Sequence, residues 1–128
     1  QRDASPSKPI KMNIKIKGID LISQEREVQL TKHGITVESD VENNNEYQLV
    51  DAASALVSPH EESFEEMYVQ TQSDYPPVGW DKEIWGKLIR KPYKDRLVIA
   101  GALIAAEIDR INAVVTQSAK EILQENLK

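Results

Sequence analysis

The stretch that decides the fold is residues 94–112, KDRLVIAGALIAAEIDRIN. Its apolar centre predicts a helix that is buried in the protein, because so much apolar surface is unfavourable in water. Five small residues within it would let a neighbouring element pack close to the helix backbone. They are Ala100, Gly101, Ala102, Ala105 and Ala106. Charged residues stand towards the ends of the stretch, so we expect a polar site where this helix meets its neighbours.

The composition indicates a single intracellular domain. The chain has 128 residues and no cysteine, which allows a sizeable core and excludes disulfides and thiolate metal sites. The longest apolar run, Leu97 to Ala106, is about half of the roughly 20 residues that a membrane span needs, so no membrane association is expected. The net charge of −5 disfavours a duplex nucleic-acid binder, whose affinity rests on many phosphate contacts from Lys and Arg. A cytoplasmic location follows as the simplest expectation.

Charge is unevenly distributed along the chain. No Lys or Arg occurs between His33 and Asp81, although this segment is rich in acids. A basic cluster follows it, formed by Lys87, Arg90, Lys91, Lys94 and Arg96. One interpretation is that the two segments face each other or the solvent. The other is an acidic metal-binding centre beside a phosphate-binding patch.

Aromatic residues flank the basic cluster. They are Tyr75, Trp80, Trp85 and Tyr93. Aromatic rings beside cations can stack a nucleobase while the cations hold its phosphates, so a nucleotide is one candidate ligand. The alternative is that the two tryptophans cover the core, which is their commoner role.

The N-terminal pattern predicts disorder followed by one strand. Residues 1–9, QRDASPSKP, are polar and broken by proline, so we expect them to be disordered. Residues 10–17, IKMNIKIK, alternate apolar and polar side chains, which is typical of a half-buried strand. We predict that this strand pairs either with residues 34–41 or with the same strand of a second subunit.

Apolar spacing and capping residues predict the helices. The predicted helices cover 19–33, about 46–57, about 59–72, 80–90 and 93 to the C-terminus, with polar loops at 34–45 and 74–79. The fold class is therefore mainly α: a small bundle of four to five helices with a long C-terminal helix and one N-terminal β-strand. We treat residues 10–128 as a single helical domain.

The last helix carries an apolar stripe with alternating steps of four and three residues. Its members are Leu97, Gly101, Ile104, Ile108, Ile111, Val115, Ser118 and Ile122. This spacing is that of a heptad seam. We predict that the first half of the stripe packs inside the domain. Residues 113–128 are predicted to be an oligomerisation extension, which would make the protein a homo-oligomer.

An acidic cluster at Glu61, Glu62, Glu65 and Glu66 offers one metal hypothesis. Carboxylates one helical turn apart can share a hard cation such as Mg²⁺. The string EESFE also resembles the EExxE half of the metal motif of the MazG-like all-α nucleotide pyrophosphohydrolases, but the second half, ExxD, is absent at the required spacing. The alternative is structural, because acids in the first turn of a helix suit the helix dipole. No metal or other cofactor is therefore assigned.

Several short motifs together resemble one protein family. They are ERxxQ at 25–29, GIT at 34–36, ESD at 38–40, residues 46–53, Trp80-Asp81, Trp85, Lys91-Pro92 and AGALIAAEIDR at 100–110. From about Ile19 to Asn112, the chain resembles a family of small, mostly uncharacterised proteins of bacteriophages and prophages. Relatives would carry His in place of Ser39 and Lys in place of Ile99. The resemblance implies an all-α accessory protein in the host cytoplasm, with no established activity.

The ERxxQ, ESD and AEIDR elements suggest one polar pocket between helices. Its predicted members are Arg26, Gln29, Asp40, Glu46, Glu107 and Arg110. Glu107 borders the buried face of the last helix, where a carboxylate must be paired or shifted in pKa, and Arg110 can pair with it one turn on. Asp109 is expected to be solvated. Two functions remain open: a non-enzymatic oligomeric module that binds a ligand or a partner, and a metal-dependent nucleotide phosphohydrolase resembling the MazG-like enzymes.

Overall fold

The computed structural model describes residues 16–58 and 76–127, and these residues form five α-helices. The helices are α1 (Gly18–Thr31), α2 (Val37–Asn43), α3 (Gln48–Leu56), α4 (Lys82–Ile89) and α5 (Tyr93–Leu127). The mainly helical architecture and the long C-terminal helix are therefore confirmed. Within the described ranges, no helix combines the length and the apolarity that crossing a membrane requires.

Helix α5 is the element around which the others pack. The helices α1, α2 and α3 each lie against its N-terminal half. The hydrophobic core lies between α3, α4 and α5. Its buried members are Leu49, Ala52, Ala53 and Leu56 of α3, Trp85 and Ile89 of α4, and Ile99, Ala100, Leu103 and Ala106 of α5. The spacing of the α3 residues puts them on one helical face, which explains why this short segment is helical.

The C-terminus of α3 is held by a buried arginine of α5. The Arg96 guanidinium is almost completely buried and donates to the carbonyl oxygens of Leu56 (2.8 Å), Ser58 (2.9 Å) and Lys91 (2.9 Å). These contacts take up backbone acceptors that a helix end leaves unpaired. Arg96 is therefore a structural residue, whereas the other members of the basic cluster, Lys87, Arg90, Lys91 and Lys94, are exposed.

The predicted N-terminal strand is not supported. Its first six residues, 10–15, lie outside the described residues, and Ile16 and Lys17 at its end are not in a strand. The predicted disorder of 1–9, the predicted helix at 59–72 and the acidic cluster Glu61, Glu62 and Glu65 also lie outside the described residues.

The prediction of a polar loop, or a strand partner, at 34–45 is wrong. Residues Val37–Asn43 form α2, whose first turn is closed by a reciprocal capping box. The Ser39 backbone N–H donates to the Thr36 hydroxyl, and the Thr36 backbone N–H donates to the Ser39 hydroxyl, both at 3.1 Å. Ser39 occupies N3, the third residue of the helix, where a capping box usually has Glu or Gln. The sequence signal of a capping box is therefore weak here.

The first half of α5 packs inside the domain as predicted, with Ala102 of the predicted second apolar edge completely buried, but the heptad stripe is not the face that enters the core. Leu97, Ile104, Ile108 and Ile111 each remain 40–53% exposed. The core instead uses a neighbouring face of α5, on which Ala100, Ala102 and Ala106 alternate with larger side chains. The small residues let α3 come close, whereas the isoleucines of the stripe would hold it away.

Helix α1 crosses α5 at a glycine. A Cβ atom added at Gly101 would lie 2.6 Å from Cδ1 and 2.9 Å from Cγ1 of Ile22. These distances are too short for real contacts, so the Ile22 side chain occupies the space that a side chain at position 101 would need. Gly101 is therefore required for the close packing of α1 against α5.

We expect Gly101→Ala to lower the free energy of unfolding by about 1 kcal/mol, because overpacking costs about 1–3 kcal/mol and the better helix propensity of alanine returns about 1. The effect should reverse when Ile22→Ala removes the opposing atoms, so that Gly101→Ala then stabilises the chain. Urea unfolding of the four variants of this cycle measures the coupling. Equal effects of Gly101→Ala in both backgrounds would contradict the close crossing.

Candidate functional site

The side chains that α1 and α2 bury most completely are polar. The buried residues of α1 are Arg26 and Gln29, which lie one turn apart on the same face. The buried residue of α2 is Asp40, which is completely inaccessible to solvent. We call the group formed by these three residues with Glu107, Asp109 and Arg110 of α5 the polar junction.

The connection between α1 and α2 positions Asp40. The Ile35 backbone N–H donates to the Gln29 carbonyl at 2.9 Å, and the Arg26 guanidinium donates to the Ile35 carbonyl at 3.3 Å. The capping box at Thr36 then starts α2 at a fixed point. Asp40 follows four residues later and is thereby directed towards α5.

On α5, Glu107 and Arg110 form the ion pair that their spacing predicts. Arg110 donates from Nε to Glu107 Oε1 at 2.7 Å and from Nη2 to Oε2 at 3.0 Å. Both side chains are largely buried, with 13–14% of their surface exposed. A two-point contact of this kind fixes the orientation of both groups. The hydrogen bond from Arg110 to Glu107, together with the negative charge of Glu107, raises the pKa of Arg110.

Asp109 is closer to the junction than the sequence indicated. Its carboxylate is half exposed, and it accepts a long hydrogen bond of 3.4 Å from Arg26 Nη2. Asp109 is therefore exposed to solvent as expected, but it also pairs with Arg26. It forms the outer edge of the junction and links α1 to α5.

A hydrogen-bond chain connects Asp40 to the segment before α4. Asn44 donates from Nδ2 to Asp40 Oδ1 at 2.7 Å, and Trp80 donates from Nε1 to Asn44 Oδ1 at 2.8 Å. The sequence does not predict either contact, because Asn44 lies in the predicted loop at 34–45 and Trp80 is expected only to stack or to cover the core. An asparagine that follows a short helix is a signal that could have pointed to such a cap.

Three buried polar atoms of the junction have no hydrogen-bond partner within 16–58 and 76–127. They are Oδ2 of Asp40, Oε1 of Gln29 and Nε of Arg26. Buried polar groups are normally paired, and each unpaired group costs about 1–3 kcal/mol. The junction thus presents two acceptors and one donor whose bonding capacity is unused.

Burial raises the pKa of the Asp40 carboxyl. The hydrogen bond from Asn44 and the charge of Arg26 act in the opposite direction, the charge of Glu107 adds to the increase, and Arg110 lowers it. The net direction is upward because desolvation of the ionised carboxylate is the largest effect. The same interactions show that Arg26, Glu107 and Arg110 all lie within electrostatic range of Asp40.

The structure therefore brings together Arg26, Asp40, Glu107 and Arg110. Gln29 is buried one turn from Arg26, and Glu46 lies apart from them. Glu46 lies in the loop before α3 with an exposed side chain, and its backbone N–H donates to Gln48 Oε1 at 2.6 Å. Beside it, Tyr47 has a left-handed backbone (φ 70°), which is strained for a bulky residue, and its ring is largely exposed. The Tyr47 hydroxyl lies near the Arg110 guanidinium, so the ring borders the junction.

Among the described residues, no group of three His, Asp or Glu side chains could hold a metal ion. His33 is exposed beyond the end of α1, as expected of a helix-end residue. Trp85 is buried in the core and Trp80 packs partly against it, which agrees with the interpretation that the tryptophans cover the core.

No protein family model matches this chain, and neither the curated proteins nor the solved structures include a significant match.

We expect Asp40→Asn to change how stability depends on pH. The native carboxyl holds its proton more tightly than the unfolded one, whose pKa is near 3.8. The unfolded state therefore binds fewer protons between the two pKa values, and stability falls as the pH rises through that interval and levels off above it. The variant lacks this ionisation, so its stability relative to the parent chain should increase as the pH rises.

Urea unfolding at several values from about pH 4 to pH 7 measures this difference. The matched control is Asp51→Asn, which removes the same charge from an exposed position on α3. A constant difference between Asp40→Asn and the parent chain over this range would contradict the buried environment of Asp40.

Proposed function

We propose that this chain is a non-enzymatic accessory protein of the bacteriophage or prophage type, located in the host cytoplasm. It acts as an oligomer and binds a ligand or a partner at the polar junction. The observation that supports the site is the completely buried Asp40 carboxylate, one oxygen of which has no partner in the described part of the chain. A buried charge of this kind is costly, and binding sites are one place where such a cost is retained.

The unused bonding capacity of the junction favours a ligand that donates hydrogen bonds. Asp40 Oδ2 and Gln29 Oε1 are both acceptors, and the carboxylate cannot donate when it is ionised. An amine, amide or guanidinium group supplies the required donors. Asp109 and Tyr47 are the exposed residues at the edge of the junction, so we expect a ligand to approach from their side.

Charge at the junction favours a cation over a phosphate. Three carboxylates (Asp40, Glu107 and Asp109) face two guanidinium groups (Arg26 and Arg110), and the Glu107–Arg110 pair is already closed. The nucleotide proposed from the aromatic and basic residues around α4 is therefore less suited to this junction than an organic cation. The exposed Tyr47 ring adds a surface on which a cation can stack.

The alternative of a metal-dependent nucleotide phosphohydrolase rests on Glu61, Glu62 and Glu65 with Mg²⁺. These residues lie outside the described part of the chain, and no observation within that part favours this function. Turnover of nucleotides that depends on Mg²⁺ would establish the alternative directly.

The binding proposal predicts that a guanidinium probe contacts the junction. Titration of the isotope-labelled chain with N-acetyl-arginine amide should shift the amide NMR signals of α2 and of residues 107–110. N-acetyl-citrulline amide, which has nearly the same shape but no charge, should bind more weakly. Asp40→Asn should lower the affinity for the arginine probe by about tenfold, which corresponds to about 1.4 kcal/mol for one lost charge interaction.

Glu46→Gln is the matched control, because it removes an equal charge from an exposed site beside the junction. It should leave the affinity for the arginine probe almost unchanged. Two results would overturn the proposed site: no shift with either probe at millimolar concentration, or equal weakening by Asp40→Asn and Glu46→Gln.

A further inference from the structure

The second half of α5 extends beyond the rest of the described helices. From Ile111 to Leu127, every described side chain is exposed except that of Ala113, which is partly buried. This segment is roughly 25 Å long at 1.5 Å per residue. An isolated helix of this length is only marginally stable in water, so a helix that projects in this way needs a partner surface.

One face of α5 carries an exposed apolar stripe that runs along both halves of the helix. We call this face the outer stripe. Its members are Ile104, Ile108, Ile111, Val115, Ser118 and Ile122. The five apolar members are each 45–62% exposed. Their alternating steps of four and three residues keep them on one face only when the helix winds around another helix of the same period.

We infer that the outer stripe binds the outer stripe of a second copy of this chain, with the two α5 helices antiparallel. The inference rests on the oligomeric part of the proposed function and gives it a surface and a geometry. The apolar members of the outer stripe are not part of the polar junction, although Glu107 of the junction flanks the stripe.

The register of the stripe is self-complementary in this arrangement. When Ile104 faces the partner's Ile122, Ile111 faces the partner's Val115, and the same contacts recur on the other side of a two-fold axis near residue 113. Ser118 is the only polar member of the stripe, and it faces the apolar side chain of the partner's Ile108. A two-fold interface requires this kind of reciprocal pairing.

The body of the domain also fits an antiparallel pair. Ile22 of α1 covers the stripe at Gly101, so helix pairing can begin only at Ile104. The helices α1 to α3 pack on the N-terminal half of α5. An antiparallel pair places the two bodies at opposite ends and lays each projecting segment over the exposed stripe of the other copy.

The lack of charge along the projecting segment favours a contact with another uncharged, apolar surface. No charged residue occurs from Ile111 to Ala119, although all of these positions except Ala113 are exposed. Helix faces that remain in water normally carry charged side chains. The antiparallel register brings Glu121 near the partner's Glu107, but that carboxylate is already neutralised by its own Arg110 at 2.7 Å.

Sedimentation of the full chain over a concentration series tests this interface. The parent chain should form dimers, and Val115→Asp should weaken the dimer about 100-fold or more, because a charge cannot be buried in an apolar seam. Leu123→Asp is the matched control. Its side chain is 63% exposed against 62% for Val115, but it lies off the outer stripe.

A substitution that strengthens the interface gives an independent readout. Ser118→Ile completes the apolar stripe and should tighten the dimer by about tenfold, whereas Gln117→Ile adds the same side chain off the stripe and should not. Two results would overturn the inference: a parent chain that stays monomeric at the highest concentration, or equal effects of the stripe and off-stripe variants.

The absence of native cysteine makes the orientation testable by disulfide formation. Ile104→Cys combined with Ile122→Cys should give a covalent dimer under oxidising conditions, because the two positions face each other. Ile122→Cys alone should not, since its two copies lie about 27 Å apart, whereas a disulfide joins Cα atoms within about 7 Å. A covalent dimer of Ile122→Cys alone would overturn the antiparallel geometry.

The two proposals can fail separately. Val115→Asp leaves all residues of the polar junction unchanged, so its titration with the arginine probe reports on the ligand site in the absence of dimers. Asp40→Asn leaves the outer stripe unchanged, so its sedimentation reports on the dimer in the absence of the ligand site.

Discussion

Packing of α3 against the small-residue face of α5 is the interaction on which the rest of the structure depends. Ala52 and Ala53 of α3 and Ala100 and Ala106 of α5 are all buried in one core. Small side chains on both helices let the backbones approach closely, and larger residues such as Leu49, Leu56 and Leu103 fill the space around them. With α5 held in this way, its other faces are left for α1, α2 and the solvent.

The attachment of α1 and α2 follows a different principle. These helices bury Arg26, Gln29 and Asp40 rather than a row of apolar side chains. Removing an ionised carboxylate from water costs several kcal/mol, and the nearby guanidinium groups only partly offset that cost. The raised pKa of Asp40 shows that desolvation prevails. These polar contacts link α1 and α2 to α5, and three of their buried atoms have no hydrogen-bond partner in the described part of the chain.

The sequence predicted α1, α3, α4 and α5 because each has a strong local signal. An apolar face defines α3, and the run from Leu97 to Ala106 defines the first half of α5. The helix α2 was missed because its residues, VESDVEN, are mostly polar and its cap uses an unusual serine. Convergence of Arg26, Asp40 and Glu107 was suggested by short motifs. Asn44 joins the site through a local contact with Asp40, which depends on the helix α2, and Trp80 joins it through a contact that is distant in sequence.

The sequence by itself determined that the chain is mainly helical, that α5 must be buried along one face, and that Glu107 can pair with Arg110. All three depend on spacing within a single segment, where helical periodicity decides which side chains are neighbours. Only the tertiary structure decided which of the two apolar faces of α5 enters the core. That choice depends on which face lets α3 approach closely, and here the face with alanines does so. The isoleucine stripe first interpreted as the inner face is therefore the outer one.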